Sequence, residues 1–344
     1  MLENYFKKND CSNQKSIFKI IGHSNGPVIS QSNPAAKDIK YGFEGGRAIK
    51  INDSYYIYTT EIIANPFWTK TRLGLWESKN MIDWQRICTL FESTGDFSGE
   101  DPKAALWSPM PTYDYKTEKW YLSYVAYRSK PNTDTAWNRN YMGRIHMAVS
   151  EKPGYYGFDG PFRDTLTVLQ PGAESAPWEG SMGTNSFFPF PVTGSWVAFY
   201  GSSTEVVGLA VSNRLTGPWK RMSNREPLEK NLENPVVSRL SDGRFIALFD
   251  GCGENRKIGY MVSADGISWS EKVFFNLENE IAPWWGLLRT PLGLVHECDN
   301  IFTIFFTAYN KDLYTIPNVW KTNNDDVFKG YFADIAWFKV QLVK

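Results

Sequence analysis

A turn followed by an aromatic-rich strand recurs five times along this chain, and no other feature restricts its fold as strongly. Asn52-Asp53 precedes Tyr55-Tyr56-Ile57-Tyr58, and Lys116-Thr117-Glu118 precedes Trp120-Tyr121-Leu122-Ser123-Tyr124. Thr193-Gly194 precedes Trp196-Val197-Ala198-Phe199-Tyr200, and Asp242-Gly243 precedes Phe245-Ile246-Ala247-Leu248-Phe249. Asp299-Asn300 precedes Phe302-Thr303-Ile304-Phe305-Phe306. A second unit follows the first four: a strand ending in Ser, a short turn, then an aromatic. Ser78 leads to Trp84, Ser150 to Phe162, Ser212 to Trp219 and Ser263 to Trp269. Such turns close hairpins, and the aromatic can seal one sheet against the next.

Each period is roughly 50 to 75 residues, enough for a four-stranded antiparallel blade. No segment carries a long helical apolar period, so the expected class is all-β. The repeats predict a five-bladed β-propeller, one domain spanning residues 1–344. The fifth unit is incomplete, and the N-terminal segment 16–21 is expected to supply its outer strand and protect a sheet edge.

The 344 residues include 14 Trp, 18 Tyr and 22 Phe, and such rings favour strands and stack on sugars. Thirty-seven basic residues balance 37 acidic ones, which argues against a nucleic-acid or polybasic membrane surface. Cys11, Cys88, Cys252 and Cys298 form no CxxC pair, so buried free thiols are expected rather than a zinc ribbon or redox dithiol. No run is long and apolar enough for a membrane span, and the N-terminus lacks an apolar leader core, so a cytoplasmic location is expected.

The segments "YYIYTT … WESKNMIDW", "GPF", "AVSNRLTGPW" and "VSADGISW" resemble the five-bladed propeller glycosidases, in particular glycoside hydrolase family 43 and relatives such as family 32. The resemblance covers nearly the whole chain and lies in scaffold motifs. It implies a glycosidase acting on an oligo- or polysaccharide, exo-acting and inverting as in family 43, with a pair of carboxylates. Related propellers sometimes hold a central calcium, but no cofactor or metal ligand is expected from the residues of this chain.

In a propeller, residues entering the innermost strands crowd one mouth of the central channel. Candidate groups should therefore lie some ten residues before each aromatic strand. Glu44, in Phe43-Glu44-Gly45-Gly46-Arg47, lies eleven residues before Tyr55. The resemblance makes it the base, although the family has Asp there, and Arg47 can hold a carboxylate or hydroxyls. Trp107-Ser108-Pro109-Met110 resembles a family motif whose last residue is an Asp that tunes the acid. Met110 replaces it, while Trp107 is a stacking candidate. Pro177-Trp178-Glu179-Gly180 matches the family's acid motif, yet Glu179 lies seventeen residues before Trp196. Strict spacing selects Asn185 instead as a hydroxyl ligand. Trp178 is a further binding candidate.

Glu233, twelve residues before Phe245, is the alternative acid, with Asn234 beside it. Arg289, thirteen before Phe302, suits an anionic sugar or an ion pair with a glutamate, and Trp285 is a second platform. Two carboxyls about 6.5–9.5 Å apart would imply inversion, and about 5–5.5 Å retention. A glycan-binding propeller without turnover, and a phosphorylase or transferase using Arg47 with Arg289, remain alternatives. No Walker loop, dinucleotide-binding glycine triad, HExxH or GxSxG occurs. Of the 3 His, His146 sits in a strand and is expected in the core. The turn Ser263-Ala264-Asp265-Gly266 reads as scaffold.

Overall fold

The structure, a computed structural model, describes residues 16–137, 139–202, 205–223, 225–252 and 256–343. Cys11 lies outside the described residues. Strands β1 (Phe18–His23), β2 (Gly42–Ile51), β3 (Ser54–Ile62), β4 (Thr71–Ser78) and β5 (Gln85–Glu92) come first. They are followed by β6 (Ala105–Asp114), β7 (Lys119–Ser129), β8 (Asn140–Ser150) and β9 (Phe162–Leu169). Next are β10 (Thr184–Val192), β11 (Ser195–Ser202), β12 (Val206–Ser212), β13 (Lys220–Arg221) and β14 (Glu229–Lys230). The last are β15 (Leu232–Arg239), β16 (Phe245–Gly251), β17 (Lys257–Ser263), β18 (Val273–Phe274), β19 (Leu287–Cys298), β20 (Ile301–Tyr309) and β21 (Ala333–Leu342).

Strands β6 to β9 and β15 to β18 form two 4-stranded antiparallel sheets. A third sheet runs β10 to β13, with β14 added on β12. The 8-stranded sheet consists of two antiparallel runs, β2 to β5 and β19-β20-β21-β1, joined by a single parallel pair, Gly42 with Ala333. Here β1 pairs antiparallel with β21, Phe18 opposite Leu342, and so occupies the outer position of its run.

The aromatic repeats are β3, β7, β11, β16 and β20, the second strand of each run. Each is entered through a turn containing a residue with left-handed backbone: Asn52, Glu118, Gly194, Gly243 and Asp299. Those turns match the twist of the strands they join. The strand-ending serines also have a shared task. Ser78 Oγ accepts from Met81 N at 2.9 Å, Ser150 Oγ from Lys152 N at 3.2 Å, Ser212 Oγ from Arg214 N at 3.2 Å and Ser263 Oγ from Gly266 N at 2.8 Å. Each hydroxyl satisfies a turn amide that leaves the ladder.

The following aromatics fill the seams. Trp84 meets Phe305 of β20 edge-on at 5.8 Å, and Trp269 lies 5.0 Å from Phe199 of β11, in each case outside the run that carries the Trp. The first strands of the runs pack in a cycle: β2 on β6, β6 on β10, β10 on β15, β15 on β19, and β19 back on β2.

Candidate active site

The start of every first strand is irregular at the same level. The ladder slips between Glu44 and Gly46 in β2, Trp107 and Met110 in β6, Thr184 and Ser186 in β10, Glu233 and Val236 in β15, and Leu288 and Pro291 in β19. A bulge leaves a residue unpaired and re-aims its side chain. Gly45, Ser108 and Asn234 carry positive φ at these points. Gly45 also faces β6 so closely that a Cβ would stand 2.6 Å from Ser108 Oγ, so a side chain there would push the strands apart.

The five irregularities converge on one cavity of about 450 Å³. Glu44, Trp107, Asn185, Glu233, Asn234 and Arg289 all line it. Glu44, Asn185, Glu233 and Arg289 are the residues that the spacing argument selects, and Trp107 and Asn234 come from the motifs beside those positions.

Four other expected site residues lie elsewhere. Glu179 is buried and accepts from Arg221 at 2.6 and 3.0 Å and from Ala176 N at 3.0 Å. The loop before β10 folds outward onto β13, so Glu179 closes a 3-10 turn at Pro177–Glu179 instead of reaching the cavity. Trp178 stacks on Tyr200 at 5.2 Å and donates Nε1 to Ser223 O. Trp285 packs edge-on against Trp284 and Phe306. Arg47 sits further along β2 and lines a different cavity, so the expected anion pair of Arg47 with Arg289 does not form. Met110, at the position of the family's Asp, belongs to the core.

Arg289 donates Nε and Nη2 to the two Glu44 carboxylate oxygens at 2.9 and 3.1 Å. Its Nη1 lies 3.8 Å from Asp250. Asp250 in turn accepts from Arg256 Nη1 at 2.8 and 2.9 Å. Arg256 also reaches Glu233 at 3.5 Å, Glu205 at 3.2 Å and the Tyr314 hydroxyl at 2.9 Å. Asn185 Nδ2 donates to the other Glu233 oxygen at 3.4 Å. Burial pushes the Asp250 carboxyl up, to about 6, against the pull of Arg256 and Arg289. Burial also opposes the two guanidinium charges, but the surrounding carboxylates hold both above their ordinary value.

Access separates the acids. The Glu44 and Asp250 side chains are 5% and 1% exposed, whereas Glu233 and Glu205 are 15% and 36% exposed. Four carboxylates thus share two guanidiniums and leave surplus negative charge, the condition under which one member of a set holds a proton near neutral pH. Among the described residues no group of three or more His, Cys, Asp or Glu is arranged to hold a metal ion.

One side of the cavity is indole. Trp68 lies 6.0 Å from Trp107 and 5.2 Å from Trp320, tilted by 35° and 32°. Trp107 is fixed by its Nε1 donating to Trp68 O at 3.2 Å. Trp320 and Trp137 are 41% and 43% exposed, so the wall continues to the surface. Such faces suit the C–H faces of a sugar.

Sequence spacing did not identify Glu205, Asp250, Arg256, Trp68 or Trp320. Asp250 had a signal, since it is the one charge in the apolar strand β16. The others lie in connections, where no period marks them.

No family model matches the chain, and no curated protein matches it. Solved structures do. A family 117 glycoside hydrolase from the marine bacterium Zobellia galactanivorans shares 15% identity, with 95% of this chain and 90% of that chain covered and a TM-score of 0.60. The alpha-L-arabinofuranosidase of Podospora anserina, solved with cellotriose, shares 10% identity over 94% and 97% of the two chains, with a TM-score of 0.63. The Bombyx mori family 32 beta-fructofuranosidase shares 15% identity over 90% of this chain and 61% of that one, at a TM-score of 0.58. At these identities the likeness is one of fold, and the fold is that of the β-propeller glycosidases.

Proposed function

We propose that this chain is a single-domain, five-bladed β-propeller glycoside hydrolase. The cyclic packing of the five first strands and the propeller neighbours support the blade count. One observation carries the reaction. Glu44 and Glu233 enter the same indole-walled cavity from different strands, Glu44 forked on Arg289 and Glu233 3.5 Å from Arg256, which it shares with Asp250 and Glu205. Cleaving an acetal needs a carboxylate that takes a proton from water and a carboxyl that gives one to the leaving oxygen. Glu44, forked on Arg289, is the base. Glu233, more exposed and more loosely held, is the acid in place of Glu179. Asp250 and Arg256 position Glu233 from beneath. The enzyme is exo-acting and inverting on an oligo- or polysaccharide end.

The test is leaving-group dependence. Glu44→Gln and Glu233→Gln should each lower kcat/KM on an oligosaccharide by about 10²–10⁴-fold. An aryl glycoside whose phenol needs no proton should restore activity to Glu233→Gln but not to Glu44→Gln. Equal rescue of both, or of neither, would reject the assignment. Proton NMR of the first-formed anomer reads inversion directly.

A second reading, glycan binding without cleavage, draws on the bidentate hold of Arg289 on both Glu44 oxygens. Saturable calorimetric binding of an oligosaccharide with no reducing end released would favour it.

A further inference from the structure

The strands that carry the acid cluster carry something different further along. Beyond Glu44, Glu233 and Arg289, strands β2, β15 and β19 line a second cavity of about 230 Å³. Arg47 is three residues past Glu44, and Leu294 five past Arg289. At about 3.3 Å per residue the two cavities lie roughly 10–16 Å apart along the strands.

Their charges are opposite. The second cavity is lined by Arg47, Lys50 and His296 and by no Asp or Glu. The other two of these groups have local partners: Lys50 Nζ bonds Glu297 at 2.9 Å, and His296 Nε2 faces Asp299 O at 3.0 Å. Arg47 is different. Its Nη1 donates to Pro111 O at 2.7 Å, and its guanidinium lies 4.8 Å over the Phe188 ring. Among the described residues no carboxylate pairs with it. Among the described residues its other N–H groups make no hydrogen bond, and Arg47 lines the cavity. Arg47 is half-buried, and protein surrounds it closely enough that burial lowers its guanidinium to about 10.

A guanidinium removed from bulk water without a counter-charge is costly, and its planar fork fits two oxygens of an oxyanion. We infer that the Arg47 cavity is a binding site for a small tetrahedral oxyanion of the phosphate or sulfate class. The apolar wall of Phe188, Val236 and Leu294 leaves Arg47 as the principal recognising group, with the His296 ring and the Ser238 hydroxyl as further polar groups of the lining. The anion is expected at this end of the strands, because the other end already carries surplus carboxylate. This inference does not depend on the glycosidase reading.

The test uses the whole chain and calorimetric titration with inorganic phosphate at constant ionic strength, with chloride as the control. Saturable one-site binding is expected. Arg47→Gln should weaken it by about 10- to 100-fold, and Arg47→Lys by less. Ser238→Asp, which places a carboxylate in the same cavity, should also weaken binding and covers the case in which Arg47→Gln fails to fold. A sugar phosphate run in parallel distinguishes a free anion from a phosphate monoester as the source. Absence of saturable phosphate binding would overturn the inference, as would equal binding by Arg47→Gln or full displacement by chloride.

Discussion

Arg289 is the side chain on which the geometry of Glu44 depends. It holds both carboxylate oxygens and also leans toward Asp250 at 3.8 Å. Lysine would keep the charge but lose the fork, leaving Glu44 free to rotate. Arg289→Lys should therefore lower kcat/KM by about 10²-fold, mostly through kcat, with little change in Tm. A pure KM effect would mean that Arg289 contacts substrate instead. The same cluster sets the charge of the glycone. Arg289 is occupied by Glu44, Arg256 by Asp250, Glu233 and Glu205, and Arg139 by Asp325, so each arginine lining the cavity among the described residues already has a carboxylate partner. Neutral glycosides should be preferred over the matching uronides by about 10²-fold or more in kcat/KM, since like charges in an enclosed site cost several kcal/mol.

Sequence spacing placed Glu44, Asn185, Glu233 and Arg289 together because the first strands bulge at matching points near their starts. It could not separate Asp250 from Glu61, although each is a lone acid in an aromatic strand. Glu61 is buried among Trp76, Arg72 and Arg86 and serves the sheet, whereas Asp250 backs the cavity. The difference lies in which cations the neighbouring strands present, a long-range fact. Glu179 shows the converse: a local motif outweighed spacing, but the loop had an arginine to meet elsewhere.

At the level of elements, β1 supplies more than an outer edge. Phe18 projects between two runs, 5.2 Å from Tyr260 of β17 and 6.2 Å from Phe302 of β20. The Tyr260 hydroxyl accepts from Ile17 N at 3.0 Å, so the N-terminal segment is tied to a sheet other than its own. Phe18→Ala should destabilise the protein by about 3–5 kcal/mol, read from urea unfolding, while leaving KM unchanged because the ring is remote from the cavity. The need for an extra strand was legible from the incomplete fifth repeat. Its second contact was not, because the sequence gives no sign of which neighbouring sheet the ring will meet.

For the whole molecule, the all-β architecture of antiparallel sheets was legible from the repeats, but the seam between β21 and β2 was not. That seam is the parallel pair Gly42 with Ala333, where a Cβ on Gly42 would stand 2.1 Å from Ala333 O. Next to it is Asp334, 7% exposed, whose carboxyl burial pushes up to about 7 from an ordinary 3.8, with the Gln31 amide as an opposing partner. The folded-state value lies above the unfolded one. Stability from this group is therefore complete below about pH 3.8 and is lost as pH rises through about 7. The loss amounts to about 4 kcal/mol at 1.36 kcal/mol per pH unit. Asp334→Asn keeps an acceptor for Gln31 and removes the titration. The variant should match the parent near pH 4 and exceed it above pH 7, with urea midpoints from pH 4 to 8 as the measure. Parallel pH profiles for the two proteins would show that Asp334 keeps its charge through other contacts, and that the seam is not a source of pH sensitivity.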